Sequence, residues 1–330
     1  MIPLILFTAA CRKPVSKTLP VEDTRFLMDT VVRIAVYDPG ISRTQAEEAI
    51  REAFRAMETL EKTVSSHMPD NDIARLNAAP GGVFQAVSPE TAFLLETAGI
   101  VAGETGGAFD VSIGAVRAEW SFDAETPSVP DSAAILKRLS CVDYRQIQLS
   151  GQQARLARPS MAVDLGGLAK GLNIDRAVEV LKAAGVRSGL VDAGGDMRIF
   201  GKHPRNPGWR IGVKHPRPRE KSLYGVIETG PAGIATSGDY ERFFLSGGRR
   251  YHHILDPGTG FPAEGCVSVT LLAESAMLAD AYATAVFVLG PDEGMRLIER
   301  KPGLEGMIIL EKNGRLTHRI SSGLESKIQF

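Results

Sequence analysis

The chain has 330 residues, of which 44% are hydrophobic and 23% charged, a composition typical of a globular protein with a substantial core. A formal net charge of -1 leaves no basic footprint, which argues against a nucleic-acid partner. This length suits one large domain or two ordinary ones.

The N-terminus begins with a short apolar run, residues 1–10, followed by Cys11. Apolar residues, then small residues, then cysteine are typical of the end of a bacterial lipoprotein signal, in which Cys11 becomes the lipid-bearing first residue. The run is too short to span a bilayer as a helix. An ordinary apolar extension is the alternative. The lipoprotein interpretation predicts the periplasmic side of a bacterial cell envelope, with membrane contact through a lipid anchor at Cys11.

The first elements predicted in the folded part are a strand and two helices. The strand is the β-branched segment at 31–37. Ser42 and Gln45 have the spacing of a capping box that opens the first helix. Ser88 is placed to cap a second helix at 89–103.

A long loop and then alternating strands and helices are predicted for the rest of the chain. Because these elements follow one another in irregular order, the expected class is α+β. We expect a signal and tether at 1–24, one domain at 25–320 and a C-terminal tail at 321–330. The predicted segments are a loop at 104–132, a hairpin at 146–158, a helix at 168–184, strands at 189–192, 197–200, 209–213, 224–228 and 267–272, helices at 276–288 and 291–300, and a hairpin around Asn313 and Gly314.

Two side chains near the start of the helix at 276–288 suit a metal ion. Asp280 and Thr284 stand four residues apart, so their side chains share one helix face. On a helix whose other residues are mostly small and apolar, an acid and a hydroxyl contribute little to packing. Their oxygens are good ligands for a hard cation.

A second segment with functional character places Asp164 and Lys170 on either side of paired glycines. Glycines at a loop-to-helix transition let the backbone approach a ligand closely, and a helix N-terminus favours anions. Lys170 can contact a phosphate as a point charge. Taken alone, a glycine turn with a structural ion pair explains this segment equally well.

Further polar groups lie at turns. Paired glycines separate Asp192 from Asp196, and a hydroxyl-rich segment contains Asp239. A histidine pair ending in His253 precedes a strong turn sequence and can supply a base. The glycine-rich loop at 105–110 can clasp a planar ring, although an ordinary surface loop explains it as well.

Six of these segments occur in the order found in the ApbE family, and the chain resembles that family from about residue 26 to about residue 310. The family comprises FAD:protein FMN transferases, also called flavin-trafficking lipoproteins. The segments are Gly106 to Asp110, Asp164 to Gly171, Asp192 to Asp196, Thr236 to Tyr240, His253 to Pro257 and Ala279 to Thr284.

The resemblance implies an ApbE-like, T-fold-related α+β fold of mixed sheets with packed helices, and FAD in a cleft between subdomains. It implies a magnesium-dependent enzyme that transfers FMN from FAD to a threonine hydroxyl of a target flavoprotein, such as a respiratory redox-pump subunit, and releases AMP. The implied magnesium ligands are the side chains of Asp280 and Thr284 and the backbone carbonyls of Gly167 and Ala283. The implied FAD contacts are Met28, Ser65, Ser66, His67, Ala108, Phe109, Asp110, Asp164, Lys170 and Ile254.

For the proton of the attacking threonine, we expect His253 to be the acceptor, with Asp239 as the second candidate.

Three positions depart from the common family pattern, namely Asp29, His67 and Asp192. These departures affect the expected packing of the flavin and adenine rings and not the phosphate chemistry. Two alternative functions stay open. One is an FAD pyrophosphatase that gives FMN and AMP, and the other is a flavin-binding lipoprotein without catalysis.

Overall fold

The computed structural model describes residues 20–65, 68–217 and 223–330. The predicted anchor at Cys11 and the predicted FAD contacts Ser66 and His67 lie outside these residues. In the described ranges we find no helix with the length and hydrophobicity of a membrane span.

The helices and strands alternate along the chain as expected for an α+β protein. The helices are α1 (Arg43–Val64), α2 (Asp72–Ala78), α3 (Pro89–Glu104), α4 (Gly114–Arg117), α5 (Ser132–Leu139), α6 (Ala169–Ala183) and α7 (Ala276–Arg300). The strands are β1 (Val21–Leu27), β2 (Thr30–Val36), β3 (Gln85–Ala86), β4 (Ile147–Leu149), β5 (Gln153–Leu156), β6 (Gly189–Ala193), β7 (Asp196–Phe200), β8 (Trp209–Lys214), β9 (Leu223–Thr229), β10 (Ala232–Gly238), β11 (Phe243–Ser246), β12 (Arg249–His252), β13 (Ser268–Ala273), β14 (Glu305–Lys312), β15 (Arg315–Ile320) and β16 (Ile328–Gln329).

One large antiparallel sheet organises the molecule, with the strand order β1-β2-β6-β7-β10-β13-β14-β15. On this sheet α1 packs against β1 and β2, α6 against β6 and β7, and α7 against β10 and β13. The core residues of the small sheet β16-β9-β8 pack with those of β7, β10, β13 and β14. This architecture confirms the predicted α+β class.

Local sequence signals account for several element boundaries. Ser42 and Gln45 form the predicted capping box at the start of α1, and Ser88 caps α3 by accepting the N–H of Thr91. The two helices predicted near the C-terminus form one element, α7, which is kinked at Gly290 (φ 77°), just before Pro291. A proline and a glycine with a positive φ angle both interrupt a regular helix, so the predicted break between the two helical segments is confirmed.

Two boundaries differ from expectation. Residues 21–24, expected to be tether, form the start of β1, which pairs with β2 along its whole length. Strand β1 lies at the edge of the sheet and exposes alternate side chains, so its sequence is polar. It is therefore recognised as a strand by its pairing with β2 and not by its composition. The expected tail at 321–330 is packed as well, since Leu324 is fully buried and β16 pairs with β9.

The contact between α6 and α7 fixes where α7 begins. The carboxylate of Asp175 on α6 accepts the backbone N–H groups of Ala276 and Met277, at 3.0 and 2.9 Å, and so satisfies two free donors at the N-terminus of α7. At Gly171 the two backbones are so close that a Cβ atom would lie 2.4 Å from the Cα of Met277. The first turns of α6 and α7 are therefore held in one register.

We predict that Gly171→Ala lowers the free energy of unfolding by about 1–3 kcal/mol, because the new methyl group overlaps the backbone of α7. Gly99→Ala is the matched control, since this exposed helical glycine has no atom within 4 Å of an added Cβ. The control should gain about 0.5–1 kcal/mol from helix propensity. Urea unfolding of both variants measures the difference, and equal effects would contradict this packing.

Candidate functional site

The centre of the site is a group of three charged side chains on the helical side of the large sheet. Asp280, near the start of α7, is buried, and its carboxylate accepts the backbone N–H of Gly171. Its second oxygen, Oδ2, has no hydrogen-bond partner among the described residues. Lys170, in the first turn of α6, forms an ion pair with the buried carboxylate of Asp196, which begins β7.

The charges of this group are strongly coupled. Burial and the nearby carboxylate of Asp196 raise the pKa of Asp280 to about 7, against the opposing effect of Lys170. Burial disfavours the charged form of Lys170, but Asp196 and Asp280 outweigh it and raise the pKa of that lysine. The site thus contains two acids and one ammonium group, and the unpartnered Asp280 oxygen is the group that a further cation would satisfy.

Thr284 and Gly167, two of the predicted metal ligands, lie on one side of this centre. The hydroxyl of Thr284 lies 3.4 Å from that of Ser237 on β10. A Cβ at Gly167 would lie 3.4 Å from the Thr284 hydroxyl and 3.0 Å from the ring of Phe109, so glycine gives the backbone its close approach here. Ser237 belongs to a segment that resembles the family, although sequence reasoning did not nominate it as a site residue. Ala283 is fully buried within α7.

The Met28 position is set by the turn between β1 and β2. Met28 and Asp29 have positive φ angles of 54° and 55°, as both central residues of a two-residue type I′ hairpin turn require. Glycine adopts such angles without steric cost, whereas this chain has Asp29 at the second of the two positions. The N–H of Met28 donates to Glu61 in the last turn of α1, the helix whose C-terminal cap is Ser65. The structure thus places Met28 and Ser65 near the same helix end.

The predicted ring-clasping loop is ordered by its own acid. The carboxylate of Asp110 is buried and accepts from the backbone N–H and hydroxyl of Ser112 and from the backbone N–H of Tyr144. These bonds shape the loop around half-buried Ala108 and buried Phe109. They leave acceptor capacity on the carboxylate, so the direct contact between Asp110 and FAD stays a prediction.

Asp164, another predicted FAD contact, lies at the start of the glycine-rich turn before α6. One of its carboxylate oxygens accepts the backbone N–H of Gly166, at 2.8 Å, and its own N–H donates to the carbonyl of Val111. The turn is therefore tied to the segment that follows the Phe109 loop.

The two predicted bases have very different surroundings. The Nδ1 atom of half-buried His253 lies 3.3 Å from the carbonyl oxygen of Arg242, which can only accept, so a neutral imidazole bonded there leaves Nε2 free. Asp239 is instead held by a two-pronged ion pair with Arg217, at 2.7 and 2.8 Å, with Arg250 nearby. Because its carboxylate is engaged in this pair, Asp239 stays the second candidate for the base, after His253.

Burial, Arg242 and the neighbouring His252 together lower the pKa of His253 to about 3. The imidazole is therefore neutral at physiological pH and can accept a proton, although it is a weak base until a negative charge comes near. The adjacent Ile254 is buried.

The donor set fits a divalent cation at Asp280. Within the described ranges, His, Cys, Asp and Glu side chains nowhere gather in threes as a metal-binding group. One carboxylate supplemented by hydroxyl, carbonyl and substrate oxygens is nevertheless a usual magnesium environment. The buried, unpartnered Oδ2 of Asp280 is the observation that favours such an ion.

The protein thus has an α+β fold in which a buried acid and a lysine lie beside a glycine-rich helix start. The sequence profile of the ApbE family matches residues 28–308, and the chain belongs to that family.

Comparison with individual proteins agrees. The FAD:protein FMN transferase of Treponema pallidum is 33% identical over 92% of this chain and 87% of its own, and that of Vibrio cholerae is 31% identical over 96% and 95%. The crystal structure of the ApbE protein from Thermotoga maritima superimposes with a TM-score of 0.84 at 34% identity, covering 94% of this chain and 99% of the other.

We predict that Asp280→Asn stabilises the metal-free protein more at pH 8 than at pH 5. The raised pKa means that between about pH 4 and pH 7 the folded state keeps a proton that the unfolded chain releases, so wild-type stability falls across this window. The gain in free energy of unfolding at pH 8 should exceed that at pH 5 by up to about 3 kcal/mol.

Urea unfolding in the presence of a chelator tests this, with the exposed Glu96→Gln as the control that should show no pH-dependent gain. A gain from Asp280→Asn that is equal at both pH values would contradict the assigned protonation state.

Proposed function

We propose that this protein is a magnesium-dependent FAD:protein FMN transferase that attaches FMN to a threonine hydroxyl of a target flavoprotein and releases AMP. As a member of the ApbE family, whose curated relatives are FAD:protein FMN transferases, it is an enzyme that transfers a phosphorus-containing group. The magnesium requirement and the threonine acceptor are the parts that we add. The observation that carries the proposal is the buried, unpartnered Oδ2 of Asp280 beside Lys170.

Asp280 and Thr284 are the side chains that would hold the magnesium ion, with Gly167 and Ala283 as the proposed backbone ligands. When bound, the ion supplies positive charge to the pyrophosphate of FAD. Lys170 contributes a fixed positive charge of its own next to the start of α6, where the helix dipole also favours a phosphate. Phosphoryl transfer needs little more from a protein than such positioning and charge.

The flavin end of FAD is assigned to the surfaces around Phe109 and Met28. Phe109 is held against the Gly167 turn, and Met28 is fixed by Glu61, so both are positioned before a ligand arrives. Ser65, Ala108, Asp110, Asp164 and Ile254 complete the proposed contacts within the described residues, and Ser66 and His67 are proposed from the resemblance alone.

In the transfer itself, the threonine oxygen forms a bond to the FMN phosphorus while the bond from that phosphorus to the bridging oxygen breaks. The bridging oxygen leaves with AMP. The threonine proton moves to Nε2 of His253, the ring nitrogen that the Arg242 carbonyl leaves free. The negative charge of the bound phosphates would raise the low pKa of His253 toward the working range.

We also propose that the protein acts on the periplasmic side of the bacterial cell envelope, with a lipid anchor at Cys11. The support is the sequence pattern of residues 1–11 alone. Such a placement suits acceptors that are themselves membrane proteins, such as subunits of respiratory redox pumps.

Mass spectrometry of an acceptor peptide after incubation with FAD, magnesium and this protein tests the proposed function. We expect a mass gain on threonine equal to FMN less one water, and no gain with Asp280→Asn or after chelation of the metal. Rapid AMP release from FAD without any acceptor would favour the pyrophosphatase alternative. Stable FAD binding without consumption would favour the non-catalytic one.

We predict that His253→Ala lowers the rate of FMN transfer by about 10²–10⁴-fold, the usual contribution of a general base, and leaves the unfolding midpoint unchanged. Asp239→Ala should instead lower stability by about 1–3 kcal/mol, because it removes the buried partner of Arg217 and Arg250 and leaves Arg217 paired with Glu311 alone. Single-turnover rates and urea unfolding of both variants separate these effects. A fully active His253→Ala protein would refute the assignment.

A further inference from the structure

A chain of charged contacts connects His253 with a short helix that the proposed mechanism does not use. The backbone of His253 donates to the carbonyl of Arg242, at 3.0 Å, and the guanidinium of Arg242 forms an ion pair with Asp123. Asp123 in turn lies 3.8 Å from the guanidinium of Arg117, the last residue of α4. Arg117 is thus part of the His253 side of the site.

The position of Arg117 is fixed with respect to the proposed FAD-binding turn. Helix α4 begins at Gly114, where a Cβ would lie 2.7 Å from the carbonyl oxygen of Ala162, so the two segments are in direct backbone contact. Ile113 and Ala162 also form an isolated parallel bridge. Arg117 is therefore built on a rigid support between the Asp164 turn and His253.

The two arginines differ in how their donors are used. Arg242 directs both Nε and one terminal nitrogen at Asp123. Within the described residues, the guanidinium of Arg117 makes a single hydrogen bond, from Nη1 to the carbonyl of Trp120 at 2.9 Å. Its side chain is only 23% exposed. Arg117 thus keeps most of its five donors free although it is largely withdrawn from water.

The surroundings of Arg117 favour an anion. Burial lowers the pKa of Arg117, and the nearby positive charge of Arg242 lowers it further. The negative charges of Asp164 and Asp123 raise this pKa and oppose the shift. Arg242 and Arg117 both help to lower the pKa of His253, so the potential at the imidazole is positive. A largely buried arginine with free donors beside a second cation is stabilised by a phosphate or carboxylate ligand.

We propose that Arg117 binds a phosphate oxygen of the dinucleotide substrate between the Asp164 turn and His253. The inference rests on the proposed function for the identity of that substrate. Arg117 would thus add a second cationic contact to that of Lys170, close enough to His253 to affect the pKa of the imidazole.

Ligand binding in the absence of divalent ions tests this inference without requiring turnover. FAD and riboflavin are titrated by fluorescence polarisation, and ADP by competition with FAD. We expect Arg117→Gln to weaken the binding of FAD and ADP about tenfold or more, and to leave riboflavin, which has no phosphate, within twofold of wild type. Arg117→Lys should recover part of the loss, because it keeps the charge.

Arg138→Gln is the matched control, since Arg138 is a partly exposed arginine of the neighbouring helix α5 that pairs with Glu119. It should bind all three ligands like wild type. Equal losses for FAD and riboflavin in Arg117→Gln, no loss for either, or the same loss in Arg138→Gln would each overturn the inference. If Arg117→Gln lowers the unfolding midpoint, Arg117→Lys decides. Partial recovery of FAD affinity in Arg117→Lys supports the inference, and FAD binding as weak as in Arg117→Gln overturns it.

A wild-type protein that binds FAD but attaches no FMN to any acceptor would refute the proposed function, while the Arg117 comparison would still be measurable. A wild-type protein that binds FAD no better than riboflavin would overturn the Arg117 inference, whatever its transfer activity.

Discussion

The burial of the Asp280 carboxylate beside the Lys170–Asp196 ion pair is the constraint on which the site depends. Burial makes the carboxyl group of Asp280 costly to ionise, as its raised pKa shows, and a buried oxygen without a partner is tolerated only where other contacts hold the group in place. Those contacts come from α6, whose Asp175 caps the start of α7 and whose Gly171 lets the two helices touch. The position of one carboxylate is thus set by the packing of two helices.

The site has two sides of different character. On the α7 side, acids and hydroxyls provide oxygen atoms for the proposed cation, with Thr284 next to Ser237. On the side of His253, arginines and a neutral imidazole produce a positive potential. A pyrophosphate bound between them would be neutralised from both directions, and its phosphorus would face a base that gains strength from the bound charge.

Much of the fold could be predicted from signals between residues that are neighbours in sequence. The elements that depend on partners distant in sequence could not. The capping box at Ser42 and the break before Pro291 are encoded by neighbouring residues, so the helices they bound could be predicted. Strand β1 could not, because its polar sequence becomes a strand only through its partner β2. In the site, motifs identified Asp280 and Lys170, but the ion pair that occupies Asp239 depends on Arg217, a residue distant in sequence.

The most direct test of the account is the position of a manganese ion, used in place of magnesium, in crystals grown with FAD. We expect an anomalous peak at about 2.0–2.2 Å from both Oδ2 of Asp280 and the hydroxyl of Thr284, with the carbonyl oxygens of Gly167 and Ala283 and a phosphate oxygen of FAD among the further ligands. A peak that contacts neither side chain, or a bound FAD whose pyrophosphate lies away from Asp280, would contradict the central claim.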